Sequence, residues 1–312
     1  MSELNIAAKL YGKFKFVITH ANGSKTESNE FDNLILNNAF NNSQANNFGI
    51  CAVGTGTTAP DVTDTALVNQ VGSVSAIGTS AAVATTWVGT LATVGRKNTY
   101  SFTAGAIVGN ISEVAIYDTS VSTARILVRT LVKDLSGDPT TIPLTAGDQL
   151  SVEYTLFVEI ETRPAPQILT INGVDYSAQT IVAYPEAYAT ITSRISPSNY
   201  PYLNATGGGV SLNDTINIPA NGVTQRLDTT LGNRVNLTAT YASNRTVVGE
   251  YTETFSATIP TSTQLPSTAP IKAVFFRNSD NFCNIAVVFT PSLPKNNTVG
   301  YTFKFACKIK RA

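Results

Sequence analysis

The sequence predicts an all-β protein: two tandem β-sandwich-like domains of antiparallel strands, with one short helix near the N-terminus. Three observations carry that prediction. Ser151–Ile160 (SVEYTLFVEI) alternates, with Val152, Tyr154, Leu156, Val158 and Ile160 on one face and Ser151, Glu153, Thr155 and Glu159 on the other. Only Phe157 breaks the period of two that marks a half-buried strand. Turn sequences such as Asp134–Asp138 (DLSGD) and Ala146-Gly147-Asp148 separate runs of this kind. Charged residues make up only 13% of the chain, against abundant Thr, Ser, Asn, Val and Ala, as in a hydroxyl-covered β-protein.

Taken in order, Tyr11–Ile18 (YGKFKFVI) sets Phe14, Phe16 and Ile18 against Lys13 and Lys15. Asn22-Gly23 suits a hairpin turn, with Lys25–Phe31 returning as the partner strand. Asp32–Asn42 (DNLILNNAFNN) is the helix candidate, with Asp32 as N-cap and Leu34, Ile35 and Ala39 pointing inward. Phe48–Val53 is a short apolar strand that runs into a glycine-threonine loop, Gly54-Thr55-Gly56-Thr57. No Walker lysine follows, and no third glycine completes a dinucleotide fingerprint, so a plain loop is favoured over a phosphate cradle. Asp61 and Asp64 could ligate a cation, although two carboxylates in a surface loop are usually solvated. Val71–Val94 is rich in small residues and reads as strands. Within it Trp87 is a core anchor or, alternatively, an exposed sugar-stacking residue.

Arg96–Thr103 leads into a meander. There Val114 and Ile116 alternate with Glu113 and Tyr117, and Ile126, Val128 and Val132 oppose Arg129 and Lys133. Thr162-Arg163-Pro164-Ala165-Pro166 is a proline-flanked hinge, which divides the chain into domains 1–163 and 164–312. Beyond it come strands at Ile168–Ile171, before the turn Asn172-Gly173, and at Ala187–Ile195. A loop from Ser196 to Gly209 carries Tyr200 and Tyr202. Later strands are Val235–Tyr241, Glu250–Ile259 and the terminal Thr298–Lys310. The second half echoes the first. Thr99–Ala104, Ile111–Tyr117, Arg125–Val132 and Pro143–Ile160 correspond to Thr254–Thr258, Ile271–Phe276, Asn284–Phe289 and Pro291–Ile309.

Several functions are disfavoured. Twenty-one basic and 21 acidic residues give zero net charge, without the basic surplus of a nucleic-acid-binding protein. No stretch approaches a membrane span or a signal peptide, so the chain is expected to be made in the cytoplasm. Cys51, Cys283 and Cys307 are few and far apart, as expected of reduced thiols rather than a disulfide framework or metal knuckle. His20 is the only histidine, which makes a Ser-His-Asp site improbable and favours a structural role. No paired carboxylates stand out for glycoside cleavage. No catalytic, cofactor or metal residue is assigned. A neutral surface leaves a monomer poorly soluble and fits a subunit that lives in an assembly.

Three stretches, Glu30–Ala39 (EFDNLILNNA), Val53–Leu67 (VGTGTTAPDVTDTAL) and Ile111–Glu159, resemble a group of tailed-bacteriophage virion structural proteins of the tail, baseplate or fibre. The shared features are an F-x-N-L-I element, a V-G-T-G loop, an I-x-E-V strand and a terminal G-D-x-L-x-V-x-Y-x-L strand. The last appears here as Gly147, Asp148, Leu150, Val152, Tyr154 and Leu156. The resemblance covers about the first half and implies a non-enzymatic subunit located in the virion. Its partners would be copies of itself and other phage structural proteins. Gly54, Thr55, Gly56, Thr57, Arg125, Arg129, Tyr200 and Tyr202 are the interface and loop candidates. Two alternatives remain open: an adhesin for host-surface glycans that uses Tyr200 and Tyr202, and a head decoration or head-fibre protein.

Overall fold

The computed structural model describes residues 4–40, 48–75, 77–118, 125–183, 209–213, 236–259, 270–277, 284–294 and 300–312. Among them the strands are, in order, β1 (Leu4–Thr19), β2 (Lys25–Glu27), β3 (Phe31–Asp32), β4 (Leu34–Ile35), β5 (Phe48–Gly54), β6 (Gln70–Val74) and β7 (Ile77–Val88). Next come β8 (Leu91–Ser101), β9 (Gly109–Ile111), β10 (Glu113–Asp118), β11 (Arg125–Leu131), β12 (Ile142–Leu144), β13 (Gln149–Glu161), β14 (Gln167–Ile171) and β15 (Val174–Ala183). The last are β16 (Gly209–Asn213), β17 (Asn236–Val247), β18 (Glu250–Ile259), β19 (Ile271–Arg277), β20 (Asn284–Leu293) and β21 (Tyr301–Arg311). The protein is all-β, as expected. The strand predicted at Ala187–Ile195, and the loop holding Tyr200 and Tyr202, lie outside the described residues.

The expected N-terminal helix is corrected. Phe31–Asp32 pairs with β1 and Leu34–Ile35 with β11, and only Asn37–Phe40 turns, as one stretch of 3₁₀ helix. Asparagine side chains compete with the helix for backbone hydrogen bonds. Pairing to two sheets also buries Phe31 and Ile35, which a helix starting at Asp32 would have had to reorient.

Two sheets face each other across the first-half core. One runs β7-β8-β13-β1, with β2 and β3 also on β1; the other runs β4-β11-β10-β5-β6. Phe14, Phe16, Tyr100, Val152 and Tyr154 of the first meet Cys51, Val53, Val114, Ile116 and Val128 of the second. Phe48 stacks on Tyr154 at 5.9 Å, which fixes one sheet over the other. The alternation read along β13 holds for Val152, Tyr154, Val158 and Ile160, which are buried, whereas Leu156 is half-buried and Thr155, read on the wet face, is enclosed. Phe157, the exception, stacks on Tyr11 at 5.0 Å on the outer side.

The five-stranded sheet is covered on both sides, because Leu36, Ala52, Leu67, Ala115, Tyr117 and Ile126 form a second apolar cluster on its far face. Ile126, expected beside Val128, belongs to this far cluster. A bulge pairs Ile116 with Val128 but Tyr117 with Ile126, so the alternation slips by one residue.

The echo between halves reappears as a repeated pairing order. β8 pairs β13 as β18 pairs β21, and the hairpin β10–β11 is matched by β19–β20. β5 neighbours β10 as β16 neighbours β19. β17 pairs β16 through Asn236–Thr238 and then β18 from Ala239 onward, so it fills the places that β6 and β7 hold separately. β1 joins the series, antiparallel to β13 and parallel to β21. In the β14–β15 turn, Asn172 and Gly173 both have positive φ, the conformation an Asn-Gly hairpin turn requires.

Candidate functional site

The glycine-threonine loop leaves the end of β5 and folds back over the far face of the five-stranded sheet. Side chains of β10 and β11 hold it there. The register sets Gly54 opposite Glu113, and Ala115 opposite Arg129, so Glu113 and Arg129 project from this same face. Both are enclosed, at 0% and 1% exposure.

Glu113 is saturated. Its Oε1 accepts the amides of Gly56 at 3.1 Å and Asn69 at 2.8 Å, and its Oε2 accepts the amide of Val68 at 3.2 Å. Oε2 also receives Arg129 through Nε at 3.2 Å and Nη2 at 2.9 Å. Arg129 reaches the loop directly, donating Nη1 to Asp64 at 2.6 Å and Nη2 to the Thr58 carbonyl at 2.9 Å. Burial pulls the Arg129 pKa down, but hydrogen bonds to Asp64 and Glu113 outweigh it and the net shift is upward. The guanidinium is thus a permanent cation, which a buried carboxylate needs beside it. Ser112 Oγ donates to the Gly56 carbonyl, and Tyr117 Oη accepts the Leu67 amide. One ion pair and its neighbours therefore fasten both limbs of a loop running from residue 55 to residue 69.

The two glycines are explained by close approach. Neither has positive φ. A Cβ on Gly54 would lie 2.5 Å from the Asn69 carbonyl oxygen and 2.6 Å from Glu113 Oε1. On Gly56 it would lie 2.5 Å from both Glu113 Oε1 and Val68 Cβ. The loop amides reach the carboxylate only because those side chains are missing.

The predicted site residues therefore divide. Gly54 and Gly56 are buried in the clamp, Thr55 is half-buried and bonded to Asn69, and Thr57 is exposed. Arg129, expected at a subunit interface, is enclosed within its own chain. Arg125 likewise pairs internally, with the enclosed Asp118 at 2.6 Å. Asp64, weighed as a cation ligand, is held by Arg129 and accepts the Asp61 amide at 2.9 Å. Asp61 caps its own turn through Thr63. Trp87 is half-buried on β7 rather than a core anchor. Cys51 is a buried thiol whose pKa burial pushes up, which makes it unreactive. Tyr200 and Tyr202 lie outside the described residues. Glu113 was treated in the sequence only as an outward-facing polar residue. The signal available was the apolar run Phe48–Val53 beside it, since a central strand apolar on both faces implies neighbours covered on both faces.

His20 has a second polar constellation. Its Nδ1 lies 2.9 Å from Asp148 Oδ1 and its Nε2 lies 2.8 Å from Thr26 Oγ1, the order of a carboxylate-imidazole-hydroxyl relay. Thr26 sits on an exposed strand of three residues at the protein surface. The arrangement ties the turn after β1 to the turn before β13. The amide and hydroxyl of Thr145, and then His20, hold the Asp148 carboxyl below its usual pKa. A depressed folded-state pKa gives stability that is present above the unfolded value, near 3.8, and is lost as pH falls through the folded value. Urea unfolding between about pH 6 and about pH 3 is expected to show this loss, and Asp148→Asn to flatten it. Parallel curves for the two proteins would contradict the assignment.

The fold and the clamp define an all-β protein in which the most conspicuous loop motif is fastened by a buried ion pair. Comparison with protein-family models, with curated proteins and with solved structures finds no match. Among the described residues no helix is long and apolar enough to cross a membrane, and no group of His, Cys, Asp and Glu is arranged to hold a metal.

Proposed function

We propose that the chain is a non-enzymatic structural subunit of a bacteriophage virion, in the tail, baseplate or fibre apparatus, which acts by self-assembly and by contacts with neighbouring virion proteins. The observation that carries this is the clamp. The V-G-T-G stretch, which a catalytic or nucleotide-binding protein would keep open for a ligand, has the Gly56 amide bonded to Glu113 and the Thr55 amide bonded to the Asn69 carbonyl, while Arg129 holds Asp64 further along the loop. What remains at the surface is a stiff shell, neutral overall and dressed with threonine and serine, as suits a part defined by its shape and faces. The resemblance of the V-G-T-G, I-x-E-V and G-D-x-L stretches to tail and baseplate components points the same way.

The test is immunogold labelling of particles released from cells that carry the gene, using antibodies to the purified chain. Label at the tail or its distal end is the expected result. Label over the head would move the protein to a decoration or head-fibre role, and unlabelled particles would overturn the proposal. A glycan array on the same protein checks the adhesin alternative, because saturable binding to one host glycan would contradict a purely structural role.

A further inference from the structure

We propose that the outer edge of β7 pairs with the same edge of a second copy of this chain, extending the large sheet from one molecule into the next. The inference deepens the assembly reading by naming the surface that one copy offers another.

β7 is the terminal strand of the longest sheet and runs for twelve residues. Among the described residues only β8 pairs with it, and no described strand lies against its other edge. Edges of this length are normally blunted by lysine, proline, inward-pointing charge or bulges. Here the charged and proline defences are absent, since no Asp, Glu, Lys, Arg, His or Pro occurs between Asp64 and Arg96. Two bulges interrupt the ladder, at Ile77/Thr79 and Val83/Thr86, and leave Thr79–Val83 as a regular run. Outward side chains are small or hydroxyl-bearing, with Thr79, Ala81, Ala82, Ala84 and Thr86 exposed, and the strand ends in Val88 at 77% exposure.

A second observation comes from the repeat. β17, which takes the place of β6 and β7 in the other half, runs from one pairing into the next, with Asn236–Thr238 on β16 and Ala239 onward on β18. In the first half the chain between β5 and β8 divides into two strands, and each ends its sheet. Among the described residues the first half therefore ends in two separate sheet edges, where in the second half one strand links the two pairings.

The chemistry selects the occupant. A strand without charge gives no reward to a charged partner and needs one that is equally uncharged, extended and small in side chain. The segment itself meets that description, and antiparallel pairing of identical strands about a two-fold axis closes both edges at once.

Sedimentation of the full chain over a range of concentrations, beside the variant Thr79→Lys/Thr86→Lys, tests the proposal. Both positions are exposed and face Thr99 and Thr93 across the β7–β8 ladder, so neither lysine is set directly opposite a charged residue. The wild-type chain is expected to self-associate reversibly, and the double variant to weaken that association by at least about tenfold. Hydrogen exchange on the wild type supplies a readout independent of the variant's folding, because amides of 77–88 should become protected as concentration rises. A chain that stays monomeric at every concentration overturns the proposal. Self-association that neither the lysines nor exchange at 77–88 registers also overturns it, while leaving the assembly reading intact through another face.

Discussion

Arg129→Ala is expected to lower the unfolding free energy by about 3–5 kcal/mol, the range for removing one partner of a fully buried ion pair. The variant leaves Glu113 enclosed and charged, without its cation. It also removes the guanidinium donor from Asp64, which keeps only the Asp61 amide, and from the Thr58 carbonyl, so the outer limb of the loop loses its tie to the sheet. Urea unfolding measures the first effect. Limited proteolysis measures the second, with cleavage expected between residues 55 and 69 before the sheets open. Replacing both partners with apolar residues is often harmless for a simple buried pair. It should fail here, because Glu113 also satisfies the amides of Gly56, Val68 and Asn69, and an apolar substitute orphans all three. A double variant Glu113→Leu/Arg129→Met as stable as the wild type would contradict the view that Glu113 is what holds the loop.

The strands of this fold were largely legible in the sequence, and the clamp was not. Alternation along much of β13 and the lysines of β1 state their own burial, since a period of two records which face is wet. At Ile126 the same reasoning failed, because a bulge inserts one residue and moves the following side chain to the other face. The helix expected from Asp32 failed for a related reason. Leu34 and Ile35 have apolar character that suits a helix face equally well, and only the distant partners β1 and β11 decide the matter. Glu113 was read as an outward-facing polar residue and Arg129 as an interface candidate, because strand periodicity distinguishes two faces without saying that a loop lies over one of them. The glycines at 54 and 56 were recognised as a motif, but their cause is a carboxylate more than fifty positions along the chain, which only the β5–β10 register brings close.

Phe14→Ala carries an expected effect of similar size, about 3–5 kcal/mol, for a different reason. Phe14 is fully buried on β1, 4.7 Å from Tyr154 and 6.1 Å from Phe31 between ring centroids. Truncation leaves a cavity between two sheets whose aromatic rings interlock, and neighbours as large as Tyr154 and Phe16 cannot collapse into it without leaving their rotamers. The position matters beyond its volume. β1 pairs β13 through Ala8–Thr19 and β21 through Leu4–Leu10, so one strand is hydrogen-bonded to the terminal strands of both halves. Tyr11→Ala on the opposite face of the same strand is the control, since Tyr11 is half-buried and its chief aromatic partner is Phe157. Losing that stack should cost only about 0.5–1.5 kcal/mol beyond the area exposed. Urea unfolding of the three proteins should therefore rank wild type, Tyr11→Ala and Phe14→Ala in falling order of stability, with the last clearly separated. Equal losses for the two variants would mean that β1 does not distinguish an inner from an outer face, and the packing of the two sheets described above would be wrong.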